Sequence, residues 1–175
     1  MTKEKSINLG DVYDLLFMAS RIGNLEIVKK IFEQYKNIDV NIADEFDNSP
    51  LHEATKYNNV DVVEYLIINE GAEVNAKNKD GRTALHVAIE ENNFEIASLL
   101  ILHGAICVKD NEGRTPIHLA VLNKRYNILN LFILAEYDID IKDNKGMTPL
   151  DLAKNDERMI SILHGNIFQI ANEQS

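Results

Sequence analysis

Three histidines recur at a near-constant interval: His52 in "SPLHEA", His86 in "TALHVA" and His118 in "TPIHLA". Imidazoles in register could suggest a metal array, and zinc needs its ligands within about 2.0–2.3 Å of one point. The phrases around them are copies of one another, however, so the rings occupy equivalent places in successive units. Equivalent side chains on packed neighbouring helices lie about 10 Å apart, too far to share an ion. The structural reading is that each imidazole bonds backbone or the adjacent hydroxyl and braces the turn before it. Folding should then need no metal, and no cofactor is implied.

The remaining chemistry-bearing groups read the same way. Cys107, the lone cysteine, takes the place of Val74 in a repeated loop and is expected to pack there. A nucleophile would need a base and an activating charge beside it. Glu90 and Glu91 are neighbours on a helix, so they point about 100° apart and suit a solvated face better than an acid–base pair. "GAEVNAKNKDG" holds glycines without the spacing of a phosphate cradle. His103 and His164 fall near helix ends, where a basic group suits the dipole. No residue is assigned a catalytic role, and the chain is expected not to be an enzyme.

The elements that position these residues follow from the repeat. Copies begin at Asp47, Asp80, Gly113 and Gly146, with a more diverged one from Tyr13. Matching alanines are Ala19, Ala54, Ala88, Ala120 and Ala153. Within a copy, Ser49, Thr83, Thr115 and Thr148 stand where a hydroxyl caps a first helix. Pro50, Pro116 and Pro149 follow at the first helical position, where the missing N–H costs nothing. Leu85, Ala88 and Ile89 give that helix one apolar face. Asn92 and Asn93 make a turn, a second helix carries Phe94, Ile96, Leu99 and Leu100, and Gly104 suits a left-handed terminus. One such unit has more apolar surface than it can bury alone, so the copies must stack.

The phrases "SPLHEA", "TALHVA", "TPIHLA" and "TPLDLA", with "GAEVNAKNKDG" and a period of about 33 residues, resemble the ankyrin repeat family over roughly residues 13–165. The resemblance implies an all-α repeat fold, an ankyrin solenoid of about five stacked helix–turn–helix repeats with projecting β-hairpin-like loops, or fingers. The expected organisation is a single domain over 1–175, with repeats at about 13–46, 47–79, 80–112, 113–145 and 146–165. Residues 1–12 would be an N-terminal cap and 166–175 a C-terminal tail, frayed at its end. In the fourth copy Glu136–Tyr137 replaces the Gly–Ala of Gly71–Ala72 and Gly104–Ala105. That helix must either end differently or hold a non-glycine at positive φ.

The resemblance also implies where a partner protein would lie: on the fingertips and the exposed end of each first helix. Copy by copy these positions are Glu45, Phe46, Asn48, Lys56 and Tyr57; then Lys79, Asp80, Arg82, Glu90 and Glu91; then Asn111, Glu112, Arg114, Leu122 and Asn123; then Asn144, Lys145 and Met147. Phe46, Tyr57, Arg82 and Arg114 are the expected anchors, because surface aromatics and arginine dominate binding energies. None of the four is expected to be needed by the core. Some family members are hydroxylated at a finger asparagine matching Asn41 and Asn75; here those side chains are expected to be structural, bonding the loop.

Charge and composition narrow the partner. A formal net charge of −10 disfavours nucleic acid, whose phosphates would be repelled. The start lacks the apolar core of a signal peptide, and no apolar run is long enough to span a bilayer. With one cysteine, the expectation is a cytoplasmic, monomeric protein that binds neither nucleic acid nor membrane and acts as an adaptor or inhibitor through fingers and concave helix face. The alternatives are a structural or homo-oligomeric subunit and, since 21 isoleucines and 20 asparagines suggest an AT-rich source, a viral or intracellular-bacterial effector delivered to a host protein.

Overall fold

The computed structural model describes residues 8–165; the expected tail at 166–175 and the first part of the expected cap, 1–7, lie outside them. Ten helices occur among the described residues, paired along the chain. The pairs are α1 (Leu9–Ile22) with α2 (Leu25–Gln34), α3 (Pro50–Lys56) with α4 (Val60–Ile68) and α5 (Ala84–Glu90) with α6 (Phe94–Leu102). They continue with α7 (Pro116–Leu122) and α8 (Tyr126–Leu134), then α9 (Pro149–Ala153) and α10 (Glu157–Leu163). Odd-numbered helices pack on one another in sequence and form one layer; α2, α4, α6, α8 and α10 form the second. The all-α repeat stack expected from the sequence is the fold. The loops are tighter than hairpins: no residue among those described forms a strand, and each finger is a turn closed by one backbone bond at its base.

The core runs between the layers. Ala19, Ala54, Ala88 and Ala120 are fully buried where successive first helices cross, and Leu16, Leu51, Leu85 and Ile117 lie beside them. Small residues at the crossing let the helices approach closely while the larger ones fill the space around them. α1 starts at Leu9 on an Asn8 cap, four residues before the boundary drawn at Tyr13, and Val12 is already in the core.

Two sets of side chains tie each pair to the next. His52 Nδ1 accepts the Ser49 N–H at 3.1 Å and lies 2.9 Å from its hydroxyl, while Nε2 is 3.1 Å from the Arg82 carbonyl in the next repeat. His86 repeats this with Thr83 and the Arg114 carbonyl, and His118 with Thr115 and the Met147 carbonyl. Because Nδ1 accepts an amide N–H, the proton sits on Nε2 and the ring donates to the carbonyl. Asp151 takes the histidine's place in the last repeat and bonds only Thr148.

The second set works in the other direction. Asn59 Nδ2 donates to the carbonyls of Ser20 and Arg21 at 2.7 and 2.9 Å, and Asn93 Nδ2 donates to that of Thr55 at 2.7 Å. These carbonyls lie in the last turn of a first helix, where the regular i+4 bonds run out. In the fourth pair Arg125 does the same, reaching Ile89 and Glu90 through Nε and Nη2 at 3.1 and 2.8 Å.

The C-terminus of α8 resolves the question posed by Glu136. Gly71 and Gly104 end their helices at φ of 69° and 84°, and Glu136 holds φ of 56° in the same place. Its neighbour's amide closes the turn as in the other copies, Tyr137 N–H to Phe132 carbonyl matching Ala105 to Leu100. The geometry is kept and a side chain is strained within it. Replacing Glu136 by glycine is expected to raise stability by about 1 kcal/mol, read as a later urea midpoint at unchanged slope; an earlier midpoint would contradict the assignment.

The imidazole staples give the stack an acid sensitivity. Burial holds His86 down at about 4, against 6.5 for a free histidine, and lowers His52 in the same direction. Above pH 6.5 both folded and unfolded chains are neutral there, so the contribution is constant. As pH falls from 6.5 towards 4 the unfolded chain takes up protons that the folded one refuses, and stability declines, by on the order of 3 kcal/mol for His86 alone. His86→Ala is expected to cost roughly 2–4 kcal/mol at pH 7.5 by orphaning the buried Thr83 amide, removing one of the two bonds to the Arg114 carbonyl and opening a cavity, and to flatten the decline between pH 6.5 and 4. Denaturant titrations at several pH values read both effects.

Candidate interaction surface

The face offered to solvent by the first helices and fingers is built from a turn used four times. Asp44, Asn78, Asp110 and Asp143 each accept, through Oδ1, the N–H groups two and four residues on. A short polar side chain thus folds the backbone over itself in place of a strand pair. The Met147 amide is the main reason the Asp143 carboxyl lies below its usual range. The carbonyl that closes each turn, at Arg82, Arg114 and Met147, is also the one its histidine staple reaches. The base of each finger is therefore fixed to the preceding first helix.

The fingertips bond to one another as well. Lys79, Asn111 and Asn144 donate backbone N–H to the carbonyls of Phe46, Asp80 and Glu112 at 3.0–3.1 Å. Asn111 and Asn144 side chains reach the Lys79 and Asn111 carbonyls, Lys79 Nζ reaches that of Glu45, and Asn78 Nδ2 donates to Asn48 Oδ1. The approach is so close that a Cβ on Gly113, at φ of 74°, would stand 2.6 Å from the Asn144 nitrogen. Asn41 and Asn75 likewise accept the amides of Glu73 and Ile106 in the next finger.

Of the eighteen positions expected to face a partner, Asn48, Arg82, Glu90, Arg114 and Met147 are half-buried and the rest exposed. A cleft of about 280 Å³ brings together Phe46, Asn48, Lys56, Lys79, Asp80, Arg82, Glu90 and Glu91. Leu122, Asn123, Asn144 and Lys145 are exposed further along the stack. Phe46 and Tyr57 stand 60% and 47% exposed, with the Arg21 guanidinium 5.6 Å from the Tyr57 ring.

The two arginine anchors are not free in the way the sequence suggested. Arg114 binds the buried Asp110 carboxylate through Nε and Nη2 at 3.1 and 2.9 Å and also reaches Glu112. Arg82 pairs with Glu90 at 3.1 Å and lies 4.0 Å from Asp110. Burial raises the Glu90 carboxyl, with Arg82 opposing it. The guanidinium of Arg114 compensates an otherwise buried charge, so the expectation that no anchor serves the core is corrected for it.

Sequence reasoning assigned the face nothing from the first helix, yet a groove of about 800 Å³ opens there between α1 and the first finger. It is lined by Tyr13, Asp14, Phe17, Met18 and Arg21 of α1, by Glu45 and Phe46 of the finger, and by Glu53 and Lys56 of α3. Phe17 stands where later copies have histidine, and Met18 where the second has Glu53. The signal was the alignment on Ala19, which places Phe17 and Met18 at the inner-helix positions.

Neither His52, His86 nor His118 shares a centre with other ligands, and no metal-holding group of His, Cys, Asp and Glu occurs among the described residues. Burial pushes the Cys107 thiol up to about 11, the opposite of an activated nucleophile. Among the described residues no helix is long and apolar enough to cross a membrane.

The family description "Ankyrin repeats (3 copies)" matches residues 67–143, and "Ankyrin repeats (many copies)" matches 33–88. Alpha-latrocrustotoxin-Lt1a of Latrodectus tredecimguttatus is 42% identical over 84 residues, 48% of this chain and 6% of that protein. Ankyrin repeat and SOCS box protein 3 of Homo sapiens is 30% identical over 97 residues, 54% of this chain and 18% of that protein. The human transient receptor potential cation channel subfamily A member 1 is 33% identical over 108 residues, 61% of this chain and 10% of that protein. The chain thus spans less than a fifth of each of these curated relatives.

The arginine finding separates two roles on one face. Arg114→Ala is expected to destabilise by roughly 2–4 kcal/mol, because it removes the guanidinium bonded to the buried Asp110 and leaves only Arg82, 4.0 Å away, to balance it, whereas Phe46→Ala should change stability by about 0.5 kcal/mol. Paired urea titrations read the difference; equal small effects would mean Arg114 is free for a partner.

Proposed function

Because the chain belongs to the ankyrin repeat family, whose repeats generally mediate protein–protein interaction, we propose that it is a non-catalytic module that binds a protein partner as an adaptor or inhibitor. The observation that carries this reading is the continuous face of first helices and fingers, where exposed aromatics lie beside a groove on a backbone held rigid by bonds between repeats. A rigid face loses little conformational entropy on binding, so each contact contributes nearly its full value. Phe46 and Tyr57 are the anchors; Arg82 and Arg114 shape the face more than they bind. The module acts as a monomer in a reducing compartment, where Cys107 stays a thiol.

The test begins with a partner captured by affinity from the source lysate, or from that of its host. Phe46→Ala and Tyr57→Ala should each weaken binding by about 1–2 kcal/mol. Glu64→Lys and Glu95→Lys, exposed on the second helices, should leave it unchanged. If those two charge reversals abolish binding while both alanines bind normally, the face is misassigned.

A further inference from the structure

The groove beside α1 has a charge pattern that specifies more than a face. Two of the cations in it and in the adjoining cleft are paired, Arg21 Nε with the buried Glu53 carboxylate at 2.9 Å and Arg82 with Glu90, while Lys79 Nζ is held by a finger carbonyl and keeps its charge. Four carboxylates are not paired. Asp14 and Glu45 line the groove, Asp80 and Glu91 line the adjoining cleft that shares Phe46, Asn48, Glu53 and Lys56 with it, and none of the four has a cationic partner within 4.0 Å among the described residues. Lys56 and Lys79 are the cations without a carboxylate partner, two against four, and Lys56 Nζ lies 5.9 Å from the Tyr57 ring centroid.

Between these carboxylates sits apolar surface without a protein neighbour. Met18, on α1, is 52% exposed and Phe46, on the first finger, 60%, and the half-buried Phe17 and Tyr13 of α1 line the same groove. Methionine adapts its shape to what it meets, and an aromatic face in the same groove suits a bulky side chain. Carboxylates flanking such a seat favour a cation in a site partly screened from water, and repel an acidic segment.

We propose that this groove takes a basic segment of the partner protein, with one bulky apolar side chain seated between Met18 and Phe46 and lysine or arginine on both sides of it, facing Asp14 and Glu45 at one end and Asp80 at the other. The inference rests on the interaction reading above and names the chemistry of what binds.

Selection of a displayed random-peptide library on the immobilised full chain tests it. Enriched peptides should carry a leucine, methionine or aromatic residue next to lysine or arginine. A synthesised selected peptide should bind at least tenfold more weakly to Phe46→Glu, to Met18→Glu and to the double variant Asp14→Lys/Glu45→Lys, and equally well to Glu64→Lys. All these positions are exposed, and unchanged melting temperatures would show that the variants fold. Peptides lost on Phe46→Glu but flanked by acidic or uncharged residues would overturn the basic-segment proposal and leave the interaction face standing. Peptides indifferent to every groove substitution, or no enrichment at all, would overturn both.

Discussion

A buried imidazole between two repeats does three things at once, and the rest of the molecule depends on it. It accepts the amide that starts a helix, engages the hydroxyl of the capping residue, and donates to the carbonyl that closes the next finger. A neutral ring has one acceptor and one donor nitrogen, which suits a site presenting an amide on one side and a carbonyl on the other. The same economy explains why the last repeat manages with Asp151: a carboxylate can hold its own cap but has no proton to give, and the described stack continues no further. Asn59, Asn93 and Arg125 run the complementary ties, so the two central interfaces are bonded in both directions, while the first has the Asn59 tie and the last the His118 staple.

Such bonding makes a surface as well as a core. A stack held by apolar packing alone could slide by fractions of a turn, because hydrophobic contact is non-directional. Directional bonds from helix to finger base, and from fingertip to fingertip, fix the register in which exposed side chains stand. That is what lets a groove with an aromatic wall and uncommitted carboxylates persist. Many side chains that a sequence reading offers to a partner, Asn111, Asn144 and Arg114 among them, are spent on holding this register.

The repeat, its five helix pairs, the caps and the structural role of the histidines were legible from the amino-acid sequence, because they recur at one period and each has a local physical reason. The Asx turns of Asp44, Asn78, Asp110 and Asp143 recur almost as regularly, yet were missed: the finger around Cys107 is one residue shorter, which blurs the alignment where the motif sits. Arg125 was hidden because it performs an asparagine's task with a different side chain. The groove at the first repeat was illegible for a related reason. That copy lacks the histidine phrase, so nothing marked Phe17 and Met18 as inner-helix residues except the alignment on Ala19. The commitment of Arg114 depends on a buried carboxylate four residues away, and burial is not visible in a list of residue types.

Native-state hydrogen exchange on the amides of Ser49, Thr83 and Thr115 tests the central claim most directly, since each of these N–H groups is held by a histidine Nδ1. If the imidazoles join the repeats into one cooperative stack, all three amides open only with global unfolding, and their protection matches that of core amides such as Leu100. Exchange at rates near those of an unstructured peptide, with the core still protected, would show that the staples open freely and that packing alone holds the repeats together.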